Sequence, residues 1–285
     1  MSSVPYSIIQ SHVALALAED IGHGDLTADL IPSSNNHTAT LICREAAILC
    51  GQQWFDEVFK QLGAQPNKQV HINWACSDGD AISAEQVVCK LEGNARNILT
   101  GERTAMNFLQ TLSGTATATA HYARLLKDST IKLLDTRKTI PGFRAGQKYA
   151  VRCGGGFNHR YGLFDGILIK ENHILAAGSI TQAVRTAREK APHTLKIEVE
   201  VETLDELREA LQAGADILLL DNMSHAMLEQ AVKLTNGQAK LEVSGNITAA
   251  TIKDYAELGI DFISTGAITK HLKAIDFSLR FEAAT

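Results

Sequence analysis

From residue 131 onward, short runs rich in leucine and β-branched residues alternate with stretches of helical period, the signature of βα units feeding a parallel sheet. The runs predict strands over 131–135, 166–170, 196–201, 216–220, 240–243 and 262–264. Helices are expected over 180–190, after a connecting loop, and over 204–213, 226–234 and 249–258, with Gly214, Gly237 and Gly259 where C-terminal caps belong. Six strands are two short of a closed eight-stranded barrel, so an incomplete (β/α) barrel is expected rather than an open doubly wound sheet. No G-x-G-x-x-G follows the first strand and no G-x-x-x-x-G-K-[ST] occurs, which removes the main support for dinucleotide and P-loop readings.

The first 92 residues have a different rhythm. A helix is expected over 7–18, an imperfectly alternating run over 38–49, a second helix over 52–62, and strands over 70–74 and 86–91. This predicts a separate, smaller α+β domain. Residues 94–127 read as helix-rich, interrupted at Ser113-Gly114. The expected division is therefore an N-terminal domain with linking helices over 1–114 and an α/β barrel over 115–270, without a low-complexity linker between them.

Composition narrows the class. With 45% hydrophobic and 21% charged residues the chain of 285 is an ordinary globular protein, and a net charge of −5 argues against coating nucleic acid or an anionic membrane. The longest purely apolar stretch, 13–18, is too short to span a bilayer, and no basic start precedes an apolar core at the N-terminus, so a cytoplasmic address is expected. Cys43, Cys50, Cys76, Cys89 and Cys153 form no C-x-x-C pair and read as free thiols.

Against this acidic background, seven bases and one acid, Asp165, fall between residues 137 and 170: Arg137, Lys138, Arg144, Lys148, Arg152, Arg160 and Lys170. Arg137-Lys138 follows the first predicted barrel strand and Lys170 ends the second, at the carboxyl edge where barrel sites are built. Glu200, Asp221, Ser244-Gly245-Asn246 and Thr265-Gly266-Ala267 occupy the ends of the next four. Arginine forks suit carboxylates and lysines suit phosphate oxygens, so the mixture fits a ligand carrying both groups. Glu200 and Asp221, on neighbouring strands, suit Mg²⁺, and the two glycine loops, each expected to lead into a helix, suit phosphate. His159, beside Arg160 in a glycine-rich loop, is placed to donate to an anion or act as an acid, while His173 reads as orienting the Lys170 loop.

These residues resemble the quinolinate phosphoribosyltransferase family: Asp135-Thr136-Arg137-Lys138-Thr139 with Pro141-Gly142, Asn158-His159-Arg160, Lys170-Glu171-Asn172-His173, and Glu198-Val199-Glu200-Val201-Glu202. Leu219-Leu220-Asp221-Asn222-Met223, Val243-Ser244-Gly245-Asn246 and Ser264-Thr265-Gly266-Ala267 extend the likeness, as do Glu19 to Thr27 and Glu102-Arg103-Thr104-Ala105-Met106-Asn107. The resemblance implies an incomplete α/β barrel plus a smaller α/β sandwich to which the tail, 271–285, can return. It also implies a homodimer or larger homo-oligomer whose active sites are shared between subunits. By similarity Arg103 reaches a neighbour's quinolinate. Arg137, His159, Arg160 and Lys170 hold the acceptor's carboxylates, and Lys138 and Lys170 face phosphoribosyl pyrophosphate. Thr136 belongs to the same binding set, Glu200 and Asp221 serve the ribose and Mg²⁺, and the loops 244–246 and 265–267 bind phosphate. Lys138, Lys170, Glu200 and Asp221 form the implied catalytic set. The implied reaction is phosphoribosyl transfer to quinolinate with decarboxylation to nicotinate mononucleotide, a step of de novo NAD biosynthesis.

Three alternatives stay open on sequence. One is a same-fold transferase acting on another acidic acceptor, such as a molybdenum-associated paralogue. The second is a barrel aldolase using Lys170 as a Schiff base, and the third a non-catalytic metabolite binder.

Overall fold

The structure is a computed structural model and describes residues 4–64 and 68–282. Along the chain run α1 (Tyr6–Ile21), β1 (Asn36–Cys43), β2 (Ala47–Ile48), α2 (Gln52–Leu62), β3 (Val70–Trp74), β4 (Ala81–Ile82), β5 (Val87–Asn94) and α3 (Ala95–Leu125). There follow β6 (Lys132–Leu134), α4 (Arg144–Cys153), β7 (Ile167–Ile169), α5 (Glu171–Ala177), α6 (Ile180–Lys190), β8 (Ile197–Val201), α7 (Leu204–Gln212) and β9 (Ile217–Asp221). The last elements are α8 (His225–Thr235), β10 (Lys240–Ser244), β11 (Phe262–Ser264), α9 (Ala267–Lys270) and β12 (Phe277–Phe281). The chain divides into two compact units, Met1–Ala120 with Ile140–Gly155 and Leu272–Thr285, and His121–Thr139 with Gly156–His271. Among the described residues no helix is long and apolar enough to cross a membrane.

The first unit is an antiparallel sheet, ordered β12-β1-β5-β3, covered by helices. Its core is built by period. Ile9, Val13 and Leu17 stand one turn apart on α1, Trp54, Phe55, Val58 and Phe59 form one face of α2, and Leu41 and Leu91 come from the central strands. β12 pairs with β1 from Phe277↔Cys43 to Phe281↔Ala39, so the described part of the tail adds an edge strand here. Residues 283–285, the end of the tail expected to return, lie outside the described residues.

One helix expectation in this unit needs correction, and one helix was not expected. α3 runs unbroken through Ser113-Gly114. That pair serves packing: Ser113 Oγ donates to Cys50 O (3.1 Å) and accepts from Cys50 N–H (3.0 Å), and a Cβ on Gly114 would lie 2.3 Å from Lys273 O. Gly114→Ala is accordingly expected to cost about 1–3 kcal/mol of stability, read by urea denaturation, because backbone rather than a flexible side chain must yield. A cost below about 0.5 kcal/mol would mean that the 272–273 backbone shifts freely. Residues 144–153, for which the sequence suggested no element, form α4, whose Tyr149, Ala150 and Cys153 join this unit's core. Their helical spacing was masked by the bases and glycine between them.

The second unit holds a six-stranded sheet of parallel neighbours, ordered β6-β11-β10-β9-β8-β7. Numbered along the chain, these are strands 1-6-5-4-3-2. That is barrel order, wrapped so that first meets last, with one unpaired seam between β6 and β7; a doubly wound sheet would reverse direction in its middle. Ile197, Val199, Val201, Leu218, Leu220, Leu241, Val243 and Ile263 form the apolar face, packed with Ile180, Val184, Leu207, Ala210, Leu228 and Ala231 of the helices. Period two sends Glu198, Glu200, Leu219, Asp221, Glu242, Ser244 and Ser264 to the opposite, inner face.

The helices carry local stop and start signals. Thr203 and Glu206 form a capping box on α7, and Ser179 and Ser224 cap α6 and α8. Gly214, Gly237 and Gly259 adopt φ of +81°, +75° and +80°. The expected helix over 249–258 is replaced by a 3₁₀ turn, Ile252–Tyr255. Thr248 and Thr251 bond each other's amides through their hydroxyls, closing a local turn that competes with an α-helical start. Conversely, the connecting loop before α6 contains α5, closed by Gly178 at φ +97°.

Candidate active site

The strand ends of the second unit collect the residues singled out above. At the end of β6, Lys138 N–H donates to Thr136 Oγ1 (3.1 Å), and the Thr265-Gly266-Ala267 turn after β11 lies against them. A Cβ on Gly266 would sit 3.0 Å from Lys138 Cδ, so a larger residue there would push the lysine side chain aside. Thr269 Oγ1 donates to Lys138 O (2.8 Å), and Ala267 N–H to Thr265 Oγ1 (3.1 Å).

Asp221, ending β9, accepts from Ser244 Oγ (2.8 Å) on one oxygen and Asn222 Nδ2 (2.8 Å) on the other. Gly245, at φ +94°, packs so closely that a Cβ would lie 2.2 Å from Asn222 Oδ1. Asn222 and Asn246 share the left-handed conformation, at φ +53° and +47°. On the neighbouring strands, Lys170 is ion-paired to Glu200. Lys170 N–H donates to His173 Nδ1 (2.9 Å), so His173 caps α5 and orients the lysine's backbone.

Arg160 donates through Nη1 to Gly166 O (3.0 Å). Burial first, then the neighbouring Arg137 guanidinium, pull its pKa below the usual arginine range. Two adjacent like charges mark a place where an anion lowers the energy. Arg137, Arg160, Lys170 and Lys190 line one cavity of about 860 Å³ along β7, with His173 among the other lining groups and no carboxylate.

His159 is engaged at both ring nitrogens. Nδ1 accepts from Arg160 N–H (2.8 Å), and Nε2 lies 3.0 Å from Glu198 Oε2 and 3.6 Å from Glu242 Oε2. Its backbone N–H and the Asn158 side chain donate to Asp135 (2.9 and 2.7 Å), a fully buried carboxylate. Sequence reading gave no role to Asp135, Glu198 or Glu242. The alternation of Ile197–Val201 and Lys240–Ser244, which puts both glutamates on the inner face with Glu200 and Ser244, carried the signal.

Two expectations change. The loop 244–246 does not lead into an α-helix, and the loop 265–267 leads only into the four-residue α9. Phosphate binding there would rest on backbone N–H groups, with little helix dipole behind them. The basic run 137–170 is also divided between the two units. Arg144, Lys148 and Arg152 stand at i, i+4 and i+8 on α4 in the first unit, with Lys148 fully buried. Arg103 is exposed on α3 of the first unit, whereas Thr136, Arg137, Lys138, His159, Arg160, Lys170, Glu200, Asp221 and both loops belong to the second.

Comparison with known proteins agrees with this architecture. Residues 25–113 match the N-terminal and residues 115–280 the C-terminal domain of quinolinate phosphoribosyl transferase. A probable nicotinate-nucleotide pyrophosphorylase [carboxylating] of Bacillus subtilis is 42% identical over 92% of this chain and 89% of its own, and a chloroplastic nicotinate-nucleotide pyrophosphorylase of Arabidopsis thaliana 38% identical over 98% and 84%. The solved structure of the nicotinate-nucleotide pyrophosphorylase from Francisella tularensis superposes with a TM-score of 0.94 at 52% identity, covering 98% of each chain. With both domain models in order along one polypeptide and full-length relatives above 30% identity, the chain belongs to the quinolinate phosphoribosyltransferase family.

Proposed function

We propose that this protein transfers the phosphoribosyl group of phosphoribosyl pyrophosphate to quinolinate and releases CO₂, giving nicotinate mononucleotide for NAD synthesis. The observation that carries this reading is the cavity lined by Arg137, Arg160, Lys170 and Lys190 without a carboxylate. Two guanidiniums side by side suit the adjacent carboxylates of quinolinate. Lys138, against the 265–267 turn, suits phosphate.

In this mechanism the pyridine nitrogen attacks the anomeric carbon as the C–O bond to pyrophosphate breaks, through a transition state with oxocarbenium character. No covalent nucleophile is needed, so the residues act by positioning and by offsetting charge. The pyridinium then accepts the electron pair left when the adjacent carboxylate departs as CO₂, and that carbon takes up a proton. Glu200 and Asp221 fit a Mg²⁺ ion: they sit at the ends of adjacent strands, and each Asp221 oxygen in its present hydrogen bond retains acceptor capacity. When bound there, the ion would supply positive charge to the pyrophosphate oxygens. Lys170 paired to Glu200 is the arrangement of an anion-binding ammonium, which disfavours the Schiff-base alternative.

The test is to follow nicotinate mononucleotide and CO₂ from quinolinate and phosphoribosyl pyrophosphate with Mg²⁺, with nicotinate as competing acceptor. Matched release of both products, with little reaction of nicotinate, is expected. Folded protein that binds phosphoribosyl pyrophosphate without turning over quinolinate would move the acceptor to another acidic compound.

We further propose a homodimer or larger assembly in which Arg103 serves a neighbour's barrel. Mixing inactive Arg103→Ala and Lys138→Ala proteins should then restore part of the activity, because some sites receive both native residues. Subunit exchange without recovery would reject the shared site.

A further inference from the structure

The inner face of the second unit's sheet contains a group of side chains that the proposed chemistry does not use. Barrel interiors are normally filled by branched apolar residues. Here Glu198 and Glu242, 5% and 2% exposed, stand on β8 and β10 beside His159. The carboxyls contact each other and line a cavity of about 520 Å³ whose other polar groups include His159, Arg160 and Asp165. Oε1 of each glutamate is buried with no hydrogen-bond partner among the described residues. Such a pair is costly to bury, and apolar residues of similar size would give a more stable barrel.

A metal site does not account for the cluster, although its three ligand atoms lie within 4.8 Å of one another. A cation would need the Nε2 lone pair of His159. The Nδ1 lone pair already receives the Arg160 amide, so the neutral ring carries its proton on Nε2 and meets the acids as a donor. The acids therefore act on the ring, and through it on the turn that carries Arg160.

We propose that Glu198 and Glu242 are positioning residues that hold His159 as its Nε2–H tautomer and thereby fix the 158–160 turn, setting the Arg160 guanidinium at the anion cavity before the acceptor arrives. The turn is then clamped from two sides, by Asp135 on its backbone and by the acid pair on its ring. The consequence for binding of the dicarboxylate acceptor rests on the function proposed above; the tautomer does not.

The experiment compares wild-type protein with Glu198→Ala, Glu242→Ala and the corresponding Gln variants. The readouts are ¹⁵N shifts of the His159 ring, assigned with a His159→Asn control, KM for each substrate, and melting temperature. The expected wild-type spectrum shows protonated Nε2 and unprotonated Nδ1. The Ala variants should convert it to a tautomer mixture and raise KM for quinolinate about tenfold, with KM for phosphoribosyl pyrophosphate changed less than about twofold. Gln should recover most of both losses, at 198 because it keeps the acceptor beside Nε2–H and at 242 because it keeps the contact that holds Glu198. An unprotonated Nε2 in the wild type, or Ala variants whose ring shifts stay put, would overturn the proposal. So would parallel rises in both KM values that track a fall in melting temperature, the mark of a merely structural role. Should an Ala variant not fold, the wild-type and Gln spectra decide. If the wild type fails to use quinolinate at all, the functional reading fails, while the ring spectrum still judges the clamp.

Discussion

Arg137→Ala is expected to lower kcat/KM for quinolinate by about 10²–10³-fold while leaving the melting temperature within about a degree of wild type. Arg137 is exposed on the turn after β6 and belongs to no apolar cluster, so its removal opens no core cavity. Its effect must come through charge. Beside it, Arg160 is already disfavoured by burial and by the second guanidinium, and deleting Arg137 relieves that repulsion in the empty protein. The variant therefore gives up binding of the dianion without loss of core packing. Losing one charge-assisted fork to a carboxylate in a partly desolvated site corresponds to roughly 3–4 kcal/mol. Steady-state kinetics with each substrate varied in turn provide the check. An effect under about threefold would remove Arg137 from the acceptor site.

The second large effect concerns stability against pH. Burial first, then the adjacent Glu198, push the Glu242 carboxyl up to about 8, from 4.5 for an ordinary glutamate. The folded protein thus keeps a proton that the unfolded chain releases. Stability from this group is full below about pH 4.5 and declines as pH rises toward 8, because the unfolded state binds fewer protons over that window. Glu242→Gln cannot release a proton there. Relative to wild type it should gain stability across the window, by roughly 3–5 kcal/mol at the upper end, with the two proteins closest near pH 4.5. Urea denaturation at several pH values measures this. Asp56, Asp78 and Glu102 are also raised, while Asp25, Glu45 and Glu282 are lowered, so both proteins slope for other reasons and only their difference reports Glu242. A difference that does not vary with pH would place the shared proton elsewhere.

The barrel was legible because its strands alternate around a single apolar face. Ile197, Val199 and Val201 announce β8, and the glycines after α7 and α8 mark helix ends without any tertiary information. What stayed hidden was decided by packing partners distant in sequence. Ser113-Gly114 reads as a break until Cys50 and Lys273 are placed against it. α4 stays unassigned until its apolar residues are seen to join the first unit's core. The strand-end residues were readable from position and charge, whereas Asp135, Glu198 and Glu242 act through the buried ring and backbone of one turn. In the sequence Glu198 stands out only as part of a motif, since a carboxylate on a strand gives no sign of which histidine will face it.

The wrapped order of the parallel sheet has a consequence for how the chain comes into being. β6 has one ladder partner, β11, apart from a single bridge at Phe157, and that ladder joins Lys132 to Phe262. In the first unit β1 likewise waits for β12, joining Ala39 to Phe281. A chain emerging from the ribosome has made neither contact when most of its length is already outside, so each unit holds an unpaired strand edge until its last strand arrives. Completion of the two sheets is thereby deferred until residues 262–264 and 277–281 have left the ribosome. Nascent chains arrested before residue 262 should be far more open to proteolysis and aggregation than chains arrested beyond 281.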